Sequence, residues 1–290
     1  MPFRHQLTRP GTAGIGKTAL FLFAGAHPDH LYFTGRNTKA ATEVIAEISR
    51  ISPSTKATFL ECDLGSRATI REALKNFVSD RLDIFIANAG VMSCPPALTA
   101  DGYEIKWGVN HMGNATVFRL LLPVMMRTAE QPGSDVRFVN LSSQGHRAHP
   151  RPQGIRFNEV KSLSSPILWT TYGQSKLANI IYAKEIARRY PSITSVAIHP
   201  GVIKTDLVNN ASPGLRALVY ITHPFGLMKP KEGAYHTIWA ATAKEGLESG
   251  EYYEPIGKKI CGDAACKDIE LAKRLWEYTE KELEGFVAPL

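Results

Sequence analysis

Cysteine is scarce in this 290-residue chain, and its four copies, Cys62, Cys94, Cys261 and Cys266, form no Cys-x-x-Cys pair. With so few thiols and no such pair, disulfides and structural zinc lack support and no metal site is expected. No charged-then-apolar leader opens the sequence, which therefore reads as a reduced, cytoplasmic protein. Long apolar runs are missing too. None approaches the roughly 18 residues that a membrane span needs, which leaves at most peripheral association. No Pro/Ser/Gly-rich linker and no internal repeat divides the chain, so a single domain over residues 1–290 is the simplest organisation. The net charge of +7 is spread along the sequence without interleaved aromatics, so a nucleic-acid partner is not expected. Asn-x-Ser/Thr occurs at Asn114, Asn140 and Asn210, and without a secretory leader these read as chance matches.

What is present is alternation. Short β-branched or aromatic runs at His30–Thr34, Ala57–Glu61, Asp83–Ala87, Asp135–Leu141, Thr194–His199 and Glu251–Glu254 alternate with helical patterns near 15–26, 38–50, 67–79, 102–127, 170–190, 231–244 and 266–284. That order implies βαβ units in an α/β fold, a doubly wound, mostly parallel sheet of Rossmann type with helices on both faces. Ligands gather at the carboxyl ends of such strands. There the sequence places Arg36 and Asn37, then Asp63, Asn88-Ala89-Gly90, Ser143 and Pro200-Gly201. Singly each reads as a turn; together they trace one crevice.

Two phosphate-binding patterns overlap in Gly11-Thr-Ala-Gly14-Ile15-Gly16-Lys17-Thr18. As a P-loop, Gly11, Gly16, Lys17 and Thr18 take the motif positions, and a nucleotide hydrolase then needs an acid at the end of a later strand to hold magnesium. The Asp83 run ends in Ala87-Asn88 and the Asp135 run in Leu141-Ser142-Ser143, so that acid is lacking. As a dinucleotide turn, Gly14 and Gly16 let the backbone approach a pyrophosphate at a helix amino terminus.

Tyr172-Gly-Gln-Ser-Lys176 sits in a helical pattern, which puts the phenol and the ammonium on one face. A tyrosine of pKa about 10 is a weak acid-base catalyst at neutral pH, and a fixed cation beside it should pull that value down. With Gly14-Ile-Gly16, Asp63-Leu64, Asn88-Ala-Gly90, Asn110, Ser143 and Pro200-Gly201, the chain resembles the short-chain dehydrogenase/reductase family over nearly its whole length. The stretches Val109-Asn-His-Met-Gly113 and Tyr172–Asn179 resemble the branch that contains retinol dehydrogenases and their fungal relatives.

The resemblance implies roles. Tyr172 exchanges a proton with the substrate oxygen, Ser143 rather than its neighbour Ser142 hydrogen-bonds that oxygen, Lys176 binds the nicotinamide ribose and lowers the Tyr172 pKa, and Asn110 bends a helix to hold a relay water. The cofactor-binding set it implies is Gly11, Gly14, Ile15, Gly16, Arg36, Asn37, Asp63, Leu64, Asn88, Ala89, Gly90, Tyr172, Lys176, Pro200, Gly201, Val202 and Thr205. Arg36 stands where an acid would hold the ribose hydroxyls of NAD, so NADP (NADPH) is expected and NAD disfavoured. Apolar residues in two loops, about 144–170 (Ile155, Phe157, Leu163, Ile167, Leu168, Trp169) and 205–228 (Leu207, Leu215, Leu218, Tyr220, Phe225), suggest a bulky apolar carbonyl or alcohol substrate of the kind met in secondary metabolism. The long helices near 102–127 and 170–190 are candidate faces for a homodimer.

One segment departs from the family. Where a buried first strand should end in Thr-Gly, the chain has Arg9-Pro10, preceded by Pro2, Arg4, His5 and Gln6, which suit a central parallel strand poorly. The first strand is therefore expected to be atypical or missing. A poor substitute strand, a mis-assigned start and a degraded, catalytically impaired member that binds a dinucleotide or a partner all stay open, with the mis-assigned start favoured because the pattern is intact from Gly11 onward.

Overall fold

The computed structural model describes residues 4–9, 11–163, 168–203, 227–260 and 262–287. In chain order these give β1 (His5–Arg9), α1 (Gly14–Ala24), β2 (His30–Gly35), α2 (Thr38–Ile51), β3 (Lys56–Glu61), α3 (Arg67–Leu74), β4 (Ile84–Ala87) and α4 (Ile105–Trp107). A π-helical turn (Gly108–Met112) leads into α5 (Gly113–Ala129), followed by β5 (Val136–Leu141), a 3₁₀ turn (Gln144–Ala148), α6 (Leu168–Arg189) and β6 (Ile193–Ile198). The chain then forms α7 (Pro230–Thr242), β7 (Tyr252–Glu254), β8 (Lys258–Ile260), α8 (Ala264–Lys267) and α9 (Ile269–Leu283). The strands form one sheet in the order β3-β2-β1-β4-β5-β6-β7-β8, parallel throughout except for the antiparallel β7–β8 pair.

The first strand exists, which corrects the expectation that it could be missing. His5–Thr8 pair with His30–Phe33 of β2 and Gln6–Arg9 with Ile84–Ala87 of β4, so this polar segment lies at the centre of the sheet. Its entry is fixed by Asp83, which is fully buried and accepts from the backbone N–H of Arg4 at 3.0 Å and of His5 at 2.8 Å while pairing with Arg81 at 2.5 Å. Arg4 lies outside the strand and is exposed, so its charge stays in solvent. The strand remains atypical: Gln6 and Thr8 are buried, and Gln6 Oε1 and Thr8 Oγ1 have no hydrogen-bond partner. Such orphaned atoms cost about 1–3 kcal/mol each.

Period-two alternation splits the core between the two faces of the sheet. Leu7, Tyr32, Phe85 and Phe138 pack under α5, α6 and α9, whereas Leu31, Phe33, Ile84, Ile86, Val139 and Val196 pack under α1, α2 and α7. The long helices offered as dimer faces are partly covered by α9 from the same chain. Arg119 pairs with Glu280 at 2.9 Å, His111 bonds Thr279 at 2.9 Å, and Tyr182 stacks on Trp276 with centroids 5.4 Å apart. The 144–170 loop also departs from expectation, since Ile155 is buried in the core and Phe157 packs with Trp107 and Tyr278 rather than walling a pocket. Leu163 and Trp169 are exposed, whereas Ile167 and residues 204–226, with Thr205 and the apolar residues of the second loop, lie outside the described residues, as does the side chain of Leu168.

Candidate active site

The crevice begins where β1 turns into α1. Gly11 donates its N–H to Thr34 O at 2.8 Å, and a Cβ on Gly11 would sit 2.5 Å from Phe33 Cβ, so only glycine fits that close approach. Gly14 has φ +56, a left-handed conformation that costs glycine nothing. The N-cap of α1, Ala13, supplies no side-chain acceptor and the first turn holds no acid, leaving the first N–H groups, at Ile15 and Gly16 among others, available to an anion. Lys17 instead leans over the Phe21 ring at 5.8 Å and Thr18 bonds Gly14 O at 3.1 Å, both spent within the helix.

At the ends of β2 and β3 lies a cavity of about 360 Å³ lined by Arg36, Glu61, Cys62, Asp63, Thr69 and Glu72. Arg36 is exposed and makes no ion pair or hydrogen bond among the described residues. Asn37 is committed to structure, its Oδ1 accepting from Ala40 N at 3.0 Å as the N-cap of α2. Asp63 shapes its own turn by accepting from Gly65 N at 2.9 Å, and Leu64 packs against Gly113, where a Cβ would lie 2.4 Å from Leu64 O. At the end of β4, Asn88 and Gly90 are half-buried and Ala89 is buried. A Cβ on Gly90 would come within 3.1 Å of Lys176 Nζ and 3.2 Å of Asn110 Oδ1, so this glycine keeps the floor of the crevice open. After β6, Pro200 is buried, Gly201 takes φ +100, and Val202 O accepts from Met228 N at 3.0 Å.

Asn110 sits inside the π-helical turn, a distortion that recurs at functional sites. It is fully buried; its Oδ1 accepts from Val91 N at 2.7 Å, and its Nδ2 donates to Val91 O and to Ser175 Oγ, both at 3.0 Å. Ser175 in turn donates to Tyr172 O at 2.8 Å. Ser175 is therefore the link between the bent helix and α6, a role carried only by the three-dimensional contact.

Ser143 and Tyr172 share a side-chain hydrogen bond, and Ser143 Oγ also accepts from Gly145 N at 3.1 Å. Ser142 points elsewhere, donating to Lys176 O at 2.7 Å. Lys176 Nζ donates to Leu141 O at 3.0 Å, the same carbonyl that receives Asn179 Nδ2 at 2.9 Å, which fastens α6 to the end of β5. Lys176 Nζ lies 5.9 Å from the centroid of the Tyr172 ring. Trp169 stacks on Tyr172 at 5.3 Å, and Gly145 and Gly173 permit the close approach of α6 to the 3₁₀ turn: a Cβ would meet Tyr172 Cε1 at 2.7 Å or Ala148 C at 2.6 Å respectively.

The electrostatics reverse one expectation. Burial pushes the Tyr172 phenol up to about 12, with the Ser143 hydrogen bond pulling the other way, and the same burial lowers Lys176 to about 8. Desolvation, not the field of Lys176, sets the phenol in the free protein.

A parallel α/β domain with glycine-lined phosphate turns and a Ser–Tyr–Lys centre at the carboxyl edge of its sheet defines the class of dinucleotide-dependent oxidoreductases. The family model described as short chain dehydrogenase matches residues 10–154. A short-chain dehydrogenase/reductase from Aspergillus calidoustus, drtF, is 32% identical over 294 residues, covering 96% of this chain and 92% of the relative. Human retinol dehydrogenase 12 is 32% identical over 283 residues, covering 95% and 85%. A solved structure of an uncharacterised protein from Mycobacterium paratuberculosis superposes with TM-score 0.75 at 24% identity, covering 99% of this chain and 95% of that one. The chain belongs to the short-chain dehydrogenase/reductase family, retinol-dehydrogenase-like branch, and is an oxidoreductase acting on CH–OH groups with NAD(P). Family membership closes the P-loop reading. Among the described residues no helix is long and apolar enough to cross a membrane.

Proposed function

We propose that this protein interconverts a bulky apolar carbonyl and its alcohol with NADP(H). Arg36, exposed at the end of β2 and without a partner among the described residues, carries the cofactor preference, since a guanidinium there can hold a ribose 2′-phosphate bidentately. Three carboxylates, Glu61, Asp63 and Glu72, line the same cavity. Arg36 is the one cation among its described lining residues, so removing it leaves a site better suited to the ribose hydroxyls of NAD. The turn at Gly11–Gly16, the floor at Asn88–Gly90 and the segment from Pro200 are the surfaces that hold the dinucleotide in this reading. Bound there, the nicotinamide supplies or accepts the hydride.

Tyr172 donates the proton to the carbonyl oxygen during reduction and recovers it during oxidation, while the Ser143 hydroxyl hydrogen-bonds that oxygen. Lys176 presents its ammonium beside Gly90 to the cofactor ribose, and Asn110, held by Val91 and Ser175, positions the bent helix behind Lys176. A phenol held near 12 is fully protonated at neutral pH, which suits it to the reductive direction. The apolar character of the substrate is supported by the exposed Trp169, stacked on Tyr172, and by the retinol dehydrogenases among the relatives. A homodimer built through α5 and α6 would have to use the surface of these helices that α9 leaves uncovered, and a cytoplasmic location is in keeping with the free thiols of Cys94 and Cys266.

Two variants test the reading. Tyr172→Phe should lower turnover of an apolar aldehyde or ketone by at least about 10²-fold, as expected for loss of general acid catalysis, with NADPH affinity nearly unchanged by fluorescence titration. Arg36→Ala should weaken NADPH more than NADH by about tenfold or more, equivalent to roughly 1.4 kcal/mol. Equal losses for both cofactors would refute the assignment of Arg36.

A further inference from the structure

The 3₁₀ turn that follows Ser143 carries His146, which the proton-transfer chemistry does not use. One ring nitrogen of His146, the Cys266 Sγ and a carboxylate oxygen of Asp263 lie within 4.8 Å of one another. His146 and Cys266 are buried and Asp263 is half-buried. His146 Nδ1 stands 2.8 Å from the carbonyl oxygen of Ser143, an acceptor with no proton to give. The hydrogen of the neutral ring therefore sits on Nδ1, and Nε2 keeps its lone pair. That Nε2 is buried with no hydrogen-bond partner.

We propose that His146, Asp263 and Cys266 form a divalent metal site of the zinc type. One imidazole nitrogen, one thiolate and one carboxylate form a donor set suited to this borderline-soft ion. At metal–ligand distances of about 2.0–2.3 Å a tetrahedral site brings its donor atoms to roughly 3.3–3.7 Å of each other, so side-chain adjustments of about 1 Å close it. With its hydrogen on Nδ1 and directed at the Ser143 carbonyl, the ring presents Nε2 as the ligating atom. The Cys266 thiol donates to Asp263, and metal binding replaces that proton: the S–H bond breaks, the metal–thiolate bond forms, and the proton leaves to solvent. His149 Nε2 bonds Asp263 Oδ2 at 2.8 Å, and Asp263 also caps α8 through Cys266 N at 3.3 Å, so the carboxylate is already oriented. A fourth position is left to water. The Nδ1–H to Ser143 carbonyl bond is the outer-sphere contact that metal-bound histidines characteristically make. Occupation of the site would tie the backbone of Ser143 to the C-terminal α8–α9 unit. Such a site runs against the expectation of no metal, which spacing alone could not test because the ligands come from distant segments and present no motif.

The test is cobalt titration of the chelator-treated full-length protein. One equivalent of Co²⁺ should produce a thiolate-to-cobalt charge-transfer band that one equivalent of Zn²⁺ abolishes. Cys266→Ser should lose the band, whereas Cys62→Ser and Cys94→Ser keep it. His146→Gln, which retains the thiol and is checked for native far-UV circular dichroism, should lose it as well. His149→Ala should weaken binding by about 10–100-fold while leaving the band shape unchanged. A folded protein that shows no band at stoichiometric cobalt, or a band that survives Cys266→Ser or His146→Gln, overturns the proposal.

Discussion

Gly145→Ala isolates how closely Tyr172 must be placed. The added methyl would lie 2.7 Å from Tyr172 Cε1, 3.1 Å from Cδ1 and 3.3 Å from Ser143 Oγ. Ordinary carbon contacts begin at about 3.5 Å, so the ring or the turn must give by roughly 0.8 Å. The ring has little freedom, being buried and stacked on Trp169, and α6 cannot slide toward Ala148 because Gly173 is already in close contact there. Gly145 does not occupy the left-handed region, so alanine suffers no backbone strain and gains up to about 1 kcal/mol from reduced chain entropy. Overpacking costs about 1–3 kcal/mol, which outweighs that gain and predicts a net loss of about 1–2 kcal/mol. At roughly 2–4 °C per kcal/mol the melting temperature should fall by several degrees. Catalysis should suffer more, since a displacement approaching 1 Å costs up to about 10²-fold in rate. The assay pairs single-turnover hydride transfer with NADPH affinity: kcat should drop 10–100-fold with the dissociation constant within about twofold. Wild-type kcat in a folded Gly145→Ala protein would refute the claim that this contact sets the phenol.

The buried Lys176 and the anchored first strand each give a further prediction. Lys176 has its pKa lowered from 10.5 to about 8 in the folded state, so between those values the unfolded chain holds a proton that the folded one lacks. Stability must then rise with pH across that window, by at most about 1.4 kcal/mol per pH unit, relative to Lys176→Met. Urea unfolding of both proteins from pH 8 to pH 10 checks the slope, and a constant difference between them would contradict it. Asp83→Ala removes the acceptor of two β1 backbone donors and the partner of Arg81, and should destabilise the fold by about 3 kcal/mol as measured by denaturant midpoint. A loss below about 1 kcal/mol would mean that β1 is held by its ladder alone.

The six strands β2 to β7 were legible because apolar runs such as Ile84-Phe-Ile-Ala87 are buried on both faces and leave a continuous signal. Their predicted limits, such as His30–Thr34 against His30–Gly35, differ by a residue or so. β1 was not legible. Its composition argues against a strand, and the compensation comes from Asp83, distant in sequence and read only as the start of another strand. β8 is a three-residue Lys-Lys-Ile edge with no apolar alternation. The pattern over 102–127 conceals the π-helical turn, because a one-residue widening of the helix hardly disturbs the spacing of apolar positions. The pattern over 266–284 conceals a break at Asp268, which caps α9 by accepting from Leu271 N at 2.9 Å. In the site, Tyr172, Lys176, Ser143 and Asn110 were found by spacing and resemblance and lie together in the fold. Ser175 and Gly145 were not singled out, because a hydroxyl bridge and a missing methyl acquire meaning only from what stands opposite them.

The reversed phenol pKa has a physical origin that spacing cannot convey. A unit charge about 6 Å from another, at an effective dielectric of 20, is worth roughly 2.8 kcal/mol, enough to move a phenol by about two pK units. That field requires a charged lysine. The same dry surroundings that lift Tyr172 to about 12 pull Lys176 to about 8, so burial weakens the cation while it opposes the phenolate. In the free protein the amine thus loses its charge before the phenol gives up its proton, and its field does not act on that titration. At neutral pH the free protein carries a protonated phenol next to a largely protonated amine, the arrangement that donates a proton. In the proposed mechanism alcohol oxidation needs the phenolate, so the oxidation rate should rise with pH above neutrality while the reduction rate stays flat, and equal pH profiles for the two directions would refute it.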